Sequence, residues 1–299
     1  MVVLTGLVAG LGAAFFQSLS YLFSKRFLHE HPESILPLLT CSHLLMAAAS
    51  LVLLPFLWHG EALLQAAVLR PMLGASGFYL LGQAGLFWVL RKTDSSRIAP
   101  MLGLKILVLA LIVTLWQGQA LGLPRWIAVC MSVGAAFLLN EVGGRIPMSG
   151  VAGLGLAIAG YSLSDLNIVA LVKALAPAGR LAPFLGVALG YVLCGLLCLP
   201  LLAVTGRGSR TVWKKAAPHA ACWLAAMFLL YICFGAIGAV FGNIIQSLRG
   251  LISIWLSVMV VRAGWTHLEA RLPRHVFWKR VAGALLMLGA IALYALQAR

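Results

Sequence analysis

Acidic side chains are the scarcest feature of this sequence: seven Asp and Glu stand against 22 Lys and Arg, and only 10% of the 299 residues are charged. A soluble domain carries about a quarter charged residues. This chain, 62% hydrophobic with a mean hydropathy of +1.01, has too little polar surface to fold in water and belongs in a bilayer. Other absences narrow the chemistry. No nucleotide-binding loop occurs, which argues against a motor driven by ATP. No H-E-x-x-H helix occurs either; His29-Glu-His31 has the wrong spacing and falls in a connection. His43 is the one histidine placed clearly within a span, no serine sits in a strained Gly-rich motif beside it, and packing is its expected role. The six cysteines fall inside apolar runs and read as core residues, not as a disulfide or zinc framework. No metal, no cofactor and no catalytic residue is expected. The net charge of +15 does not point to nucleic acid, because the basic residues cluster between apolar runs, as they do in polytopic membrane proteins.

What is present is apolar helix. A crossing needs roughly 20 apolar residues. Ten such runs occur, at about 3–23, 35–57, 71–90, 98–116, 124–140, 149–172, 182–204, 219–240, 243–261 and 277–297. The first has no basic leader or cleavage site and reads as a retained helix. Pro71, Pro100, Pro124, Pro147, Pro183 and Pro218 are expected at helix starts, and Gly242 and Asn243 at the turn between the eighth and ninth runs. Gly6/Gly10, Gly186/Gly190 and Gly238/Gly242 have the spacing of close helix packing. No connection is long enough for a soluble domain. Fifteen basic residues (Lys25, Arg26, Arg91, Lys92, Arg97, Arg145, Arg207, Arg210, Lys214, Lys215, Arg262, Arg271, Arg274, Lys279 and Arg280) fall on one side of the membrane and five (Arg70, Arg125, Lys173, Arg180 and Arg299) on the other. The positive-inside rule then puts both termini outside.

The expected fold class is all-α integral membrane, with ten transmembrane helices forming two five-helix repeats, residues 1–147 and 148–299. Their tails look related. Ile98-Ala-Pro-Met-Leu-Gly-Leu-Lys-Ile and Arg125-Trp-Ile…Gly134-Ala-Ala-Phe close the first. Ile244-Ile-Gln-Ser-Leu-Arg-Gly-Leu-Ile and Lys279-Arg-Val-Ala-Gly283-Ala-Leu close the second. Five is odd, so the second half enters the membrane from the opposite side, an inverted repeat of the kind common in secondary transporters. On Arg97-Ile-Ala-Pro100, the pattern of fourth run, short turn and fifth run, and its counterpart in the ninth and tenth, the chain resembles the drug/metabolite transporter superfamily, in particular its EamA-type ten-helix members. It departs in the turn after the fourth run, Gln117-Gly-Gln119, where many members carry glutamate; Glu269 stands farther along after the ninth. The resemblance also implies cytoplasmic termini, against the charge count.

Ionisable residues inside spans are costly and mark function. Three qualify: Lys105, Asp165 and Arg249. Lys105 and Arg249 are expected on either side of the midplane, and Asp165 level with Arg249 as its ion-pair partner. A cavity with two cations and one carboxylate suits an anionic or zwitterionic ligand. Tyr161, Ser164, Asn243, Gln246, Gln83, Tyr79 and Trp255 complete the candidate substrate-binding set, and Trp88, Tyr231 and Phe234 are further candidate aromatic walls. Gln17, Ser18, Ser20 and Tyr21 add weaker polar signals. Asp165 is the candidate proton carrier. The reading is a secondary active transporter of a small polar organic metabolite, amino acid-like for example, working by alternating access in the inner or plasma membrane, with protons as candidate coupling ions, as a monomer or homodimer. A flippase for an amphipathic or lipid-linked solute is the alternative, ahead of an intramembrane enzyme. The charge bias predicts that a C-terminal alkaline phosphatase fusion is active and a C-terminal fluorescent protein fusion is dark; the reverse pattern refutes termini-out.

Overall fold

The computed structural model describes residues 2–31, 35–58, 65–91, 93, 98, 101–116, 118, 121–140, 148–205, 209–262 and 274–296. Every regular element among them is helical. In chain order they are α1 (Val2–Glu30), α2 (Leu36–Leu57), α3 (Ala66–Leu90), a 3-10 turn (Leu102–Leu104) leading into α4 (Lys105–Leu115), α5 (Leu123–Asn140), α6 (Met148–Ala174), a 3-10 segment (Ala176–Leu181), α7 (Ala182–Cys198), a short helix (Leu201–Thr205), α8 (Arg210–Ile237), α9 (Ala239–Gln246), α10 (Arg249–Arg262) and α11 (Arg274–Leu296). Among the described residues, six helices are long and apolar enough to cross a bilayer: α1, α2, α3, most of α6, the stretch Ala176–Cys198 and α8. Shorter apolar helices accompany them at Leu102–Leu115, Leu123–Ala135 and Leu285–Tyr294. The chain is an integral, multi-pass membrane protein. Large apolar side chains such as Phe56, Leu115 and Trp116 are exposed on its outside, where lipid is their natural solvent.

Several expected boundaries shift, each for a local reason. The turn between the eighth and ninth runs is at Gly238, not at Gly242-Asn243. Gly238 takes φ +76°, a conformation that L side chains rarely adopt, and Gly242 and Asn243 lie within α9. The ninth run is broken at Ser247-Leu248, and the fourth changes from 3-10 to α at Lys105. Helix α7 stops at Cys198, with Pro200 just beyond and the chain resuming at Leu201. Pro124 and Pro183 do occupy first turns. Pro71 and Pro218 instead sit inside α3 and α8, which begin earlier than hydropathy suggests because helix persists through Ala66–Arg70 and the basic Arg210–Lys215. Pro100, Pro147, Gln117, Gln119, Glu269 and the segment 141–147 at the expected repeat boundary lie outside the described residues.

Lipid gives little hydrophobic drive for helix association, so close packing and buried polar contacts carry it. Helix α3 runs along α6, α1 along α8, α2 against α7 and α5 against α11. One large apolar core joins α1, α2, α3, α6, α7 and α8, and a smaller one joins α4, α5, α9 and α11. Of the glycine pairs anticipated from spacing, Gly6 meets Ile237, Gly10 meets Ile245, Gly186 and Gly190 meet Tyr231 and Gly242 meets Phe234, but Gly238 meets nothing within 4 Å and serves the turn instead. The tightest backbone approach is elsewhere, between α3 and α6. A Cβ on Gly160 would stand 2.6 Å from the Gly82 nitrogen and 2.7 Å from the Phe78 oxygen, and one on Gly85 2.6 Å from the Gly153 oxygen. Ser164 Oγ adds a 2.8 Å hydrogen bond to the Ala75 carbonyl across the same interface. Backbone atoms cannot step aside as a flexible side chain can. Gly160→Ala should therefore lower stability by about 1–3 kcal/mol, whereas Gly155→Ala, which would meet nothing within 4 Å, should be neutral or slightly stabilising. Melting in detergent compares them; coincident midpoints would contradict the packing assignment.

Candidate functional site

The charged site forms where helices are interrupted. At Ser247-Leu248 the bonding tightens: the Leu248 amide donates to the Ile245 carbonyl at 3.1 Å and the Gly250 amide to the Ser247 carbonyl at 3.1 Å. Ser18 Oγ on α1 donates to the Arg249 carbonyl at 3.0 Å, supplying a partner from outside the helix. Arg249 is the first residue of α10, as Lys105 is the first of α4 after its 3-10 turn. Both cations thus stand at the joint of a discontinuous span, the feature that builds midplane sites in transporter folds.

The positions along the helices are alike. Asp165 lies nine residues before Ala174 at the end of α6, Lys105 ten before Leu115 at the end of α4, and Arg249 ten after Ala239 at the start of α9. At 1.5 Å per residue each is roughly 15 Å along the chain from one helix end. Lys105 and Arg249 line the same small cavity, and moving the turn from Gly242 to Gly238 lengthens the helical stretch that precedes Arg249.

The ion pair is also differently made. Asp165 Oδ2 is 2.8 Å from Lys105 Nζ, and Asn243 Nδ2 donates to the same oxygen at 2.7 Å. Arg249, 2% exposed, donates from Nη1 to Gln17 Oε1 at 2.8 Å, its Nε is buried without a hydrogen-bond partner, and among the described residues it pairs with no carboxylate. Asn243, one turn past Gly238 on α9, directs Asp165 toward α4 and away from α10. The site is therefore a neutral Lys105–Asp165 pair beside an arginine with one neutral partner, with an overall charge of +1.

The other expected residues divide. Lys105, Asp165, Arg249, Tyr161, Ser164 and Tyr79 line one small central cavity together with Gln17, Tyr21, Trp223 and Met227. Lys105 Nζ lies 5.5 Å from the centre of the Tyr161 ring. Gln83 stands behind, accepting a hydrogen bond from the Tyr161 hydroxyl, with its own Nε2 buried and unpartnered. Gln246 Nε2 reaches the Gly10 carbonyl at 3.1 Å and ties α9 to α1 instead of facing the cavity. Trp255 does not join the site: it is 53% exposed. Six residues at 100° each set it about 120° round the helix from Arg249. Trp88 is likewise exposed, Phe234 packs on Gly242, and Tyr231 lines a neighbouring crevice with Tyr191 and Cys194.

His43 is a packed residue, as expected. Its Nδ1 donates to the Leu39 carbonyl at 2.6 Å, which leaves Nε2 to accept from the Tyr79 hydroxyl at 3.0 Å. Tyr79 is thereby held in the cavity wall. A second buried histidine was not anticipated: His219 lies within α8 because that helix starts at Arg210, and its Nδ1 contacts Ser24 Oγ at 2.8 Å and the Ser20 carbonyl at 3.1 Å. Trp223 was missed too. Its ring centre is 5.8 Å from that of Tyr79, 5.9 Å from Tyr21 and 6.4 Å from Tyr161. Trp223, Met227 and Leu230 share a helical face, but that spacing also describes ordinary core.

The central cavity has a volume of only about 20 Å³, room for about one water. A much wider cavity of about 490 Å³ opens where α6 and α8 end and α5 and α9 begin. The structure thus has a collapsed charged centre and a roomy mouth on one side. Breaking a buried pair by removing one partner costs about 3–5 kcal/mol, whereas replacing both can be close to neutral. Lys105→Met and Asp165→Leu alone should each lower the melting midpoint sharply, and the double variant should recover most of the loss. Equal, additive losses would mean that the pair is not the relevant interaction.

Residues 4–141 match the model of the EamA-like transporter family. No curated protein sequence matches the chain. A solved crystal structure of a protein 17% identical in sequence superposes with a TM-score of 0.64, over 98% of this chain and 97% of its own; at that identity the likeness is one of fold. The family match spans α1 to α5, a little under half of the chain, and over that part the chain is similar to a family of membrane transporters.

Proposed function

We propose that the protein is a secondary active transporter of a small polar organic solute bearing an anionic group, either a carboxylate or phosphate alone or one end of a zwitterion. The observation that carries this is Arg249: a fully buried guanidinium with a neutral partner, an unpartnered Nε and its nearest carboxylate already committed to Lys105. Leaving a charge so placed is expensive, and an incoming oxyanion would meet it with paired, charge-assisted hydrogen bonds.

The packing supports two inverted five-helix halves, residues 1–147 and 148–299. Advancing every span by five positions turns the α3–α6 contact into that of α8 with α1, the contact of α1 with α10 into that of α6 with α4, and returns the α2–α7 and α5–α11 contacts to themselves. Lys105 and Gln17 come from the first half and Asp165, Asn243 and Arg249 from the second, so rocking of the halves would remake the site, as alternating access requires. Asp165, the carboxylate held between Lys105 and Asn243, is the proposed proton carrier. The inner or plasma membrane is the proposed location.

Counterflow in proteoliposomes across amino acids, organic acids, phosphate esters and organic cations tests the reading. Anionic or zwitterionic solutes should exchange. Arg249→Gln should cut flux at least tenfold, a loss of about 1.4 kcal/mol or more, and Arg249→Lys should restore part of it. A protonophore should abolish uphill uptake and spare exchange. Transport confined to organic cations, or full flux in Arg249→Gln, would sink the proposal.

A further inference from the structure

The charged centre has a neutral neighbour. A second cavity of about 10 Å³ lies beside it, lined by Ala75, Ser76, Gly190, Tyr191, Cys194 and Tyr231. The two cavities share four wall residues: Tyr79, Ser164, Ile168 and Met227. Neither has room for more than about one water, so neither alone admits a solute. Three of the shared residues are held in place. Tyr79 is fixed by His43 and Ser164 by the Ala75 carbonyl, and Ile168 is β-branched and stiff at χ1. Met227 differs: an unbranched side chain with three rotatable bonds can swing aside readily.

The second cavity exists because α7 presents glycine to α8. Tyr231 lies against that glycine face: a Cβ on Gly186 would stand 3.2 Å from its ring, and one on Gly190 would stand 3.4 Å from its hydroxyl. Most polar groups of the wall already have partners. Ser76 Oγ donates to the Gly190 carbonyl at 3.1 Å, and Ser164 Oγ to the Ala75 carbonyl at 2.8 Å. Cys194 Sγ donates to the Ser76 carbonyl at 3.9 Å, and the Tyr191 hydroxyl accepts from Trp223 Nε1 at 2.7 Å. No residue charged at neutral pH is among its lining. A charge moved into this space would lose its hydration and gain no partner. Apolar atoms would gain contacts there.

We infer that this cavity is an annex for the uncharged, apolar body of the solute, with Met227 as the movable partition and Gly190 as the residue that limits body size. The inference rests on the proposed transport site and adds the class of its cargo: an anionic head met by Arg249, carrying one short apolar body. When Met227 swings away, the two spaces join into a single site with a charged end and a neutral end. A solute with a further charge on its body is rejected by the neutral end.

Calorimetry on the purified full chain in phosphatidylcholine nanodiscs tests this with head-matched pairs: alanine and leucine, propionate and 4-methylpentanoate, methyl phosphate and isopentyl phosphate. In the pair whose head fits Arg249, the longer member should bind about tenfold tighter or more. Glutamate and lysine should bind no better than alanine. Gly190→Ala should cut the preference for the longer member about fivefold or more. Its melting midpoint should stay near that of the parent, because the new Cβ meets only the Tyr231 hydroxyl at 3.4 Å and Ser76 Oγ at 3.6 Å, both ordinary contacts. That control separates a filled annex from a lost fold. Met227→Ala should shift selectivity the other way, about threefold or more toward a phenyl body over a branched aliphatic one on the same head. The inference is overturned if short and long members of every pair bind alike, if lysine or glutamate binds as tightly as leucine, or if neither substitution moves the ratio. Where binding in those cases still needs Arg249, the proposed transport site stands and only the annex falls. If no member of any pair binds, both readings fall together.

Discussion

A carboxylate and an ammonium 2.8 Å apart in the middle of a membrane protein constrain almost everything around them. Neither charge could be left alone at that depth, so α4 and α6 must meet at a fixed level and stay there. Asn243 adds a third element by donating to the same carboxylate oxygen, which fixes α9 and hence the joint that presents Arg249. The aromatic wall follows: Lys105 lies over Tyr161, Gln83 holds the Tyr161 hydroxyl, and Tyr79 beside it is held by His43. Each link is short-ranged, yet together they connect α2, α3, α4, α6 and α9 through one polar cluster.

Close packing elsewhere makes that cluster possible. Where Gly82 and Gly85 meet Gly160 and Gly153, α3 and α6 touch through backbone. The carbonyl of Ala75 then comes within reach of Ser164, one residue before Asp165. A larger residue at that crossing would move Ser164 and Asp165 together. Stability and site geometry therefore share an interface, and the small residues serve both.

Much of this was legible in the sequence because charge in an apolar run is a loud signal. Lys105, Asp165 and Arg249 stand out on cost alone, and six of the ten expected site residues line the central cavity. The pairing was not legible. Which of two cations reaches one carboxylate depends on where α9 begins, and that is set by a single glycine with positive φ at residue 238. Hydropathy cannot mark such a turn when the residues on both sides are equally apolar. Trp223 and His219 were hidden for a related reason: each reads as core or as helix start until tertiary packing brings them against Tyr79 and Ser24. Trp255 failed oppositely, being close to Arg249 in sequence but on another face of the helix.

The central cavity, with room for about one water, has a kinetic consequence. If the buried site is the transport site, a solute cannot simply drop into it; it must displace contacts that Lys105, Asp165 and Arg249 already make with one another's neighbours. Binding is then a swap of partners, and each bond gained by the solute is offset by one the protein gives up. Such a site holds its cargo loosely however many charges surround it. For a carrier that is an advantage, because the same internal bonds that resist loading re-form on unloading and help to expel the solute. On the proposed reading the pair at the centre would act as a resident competitor, and tight retention of cargo is the one property such an arrangement would work against.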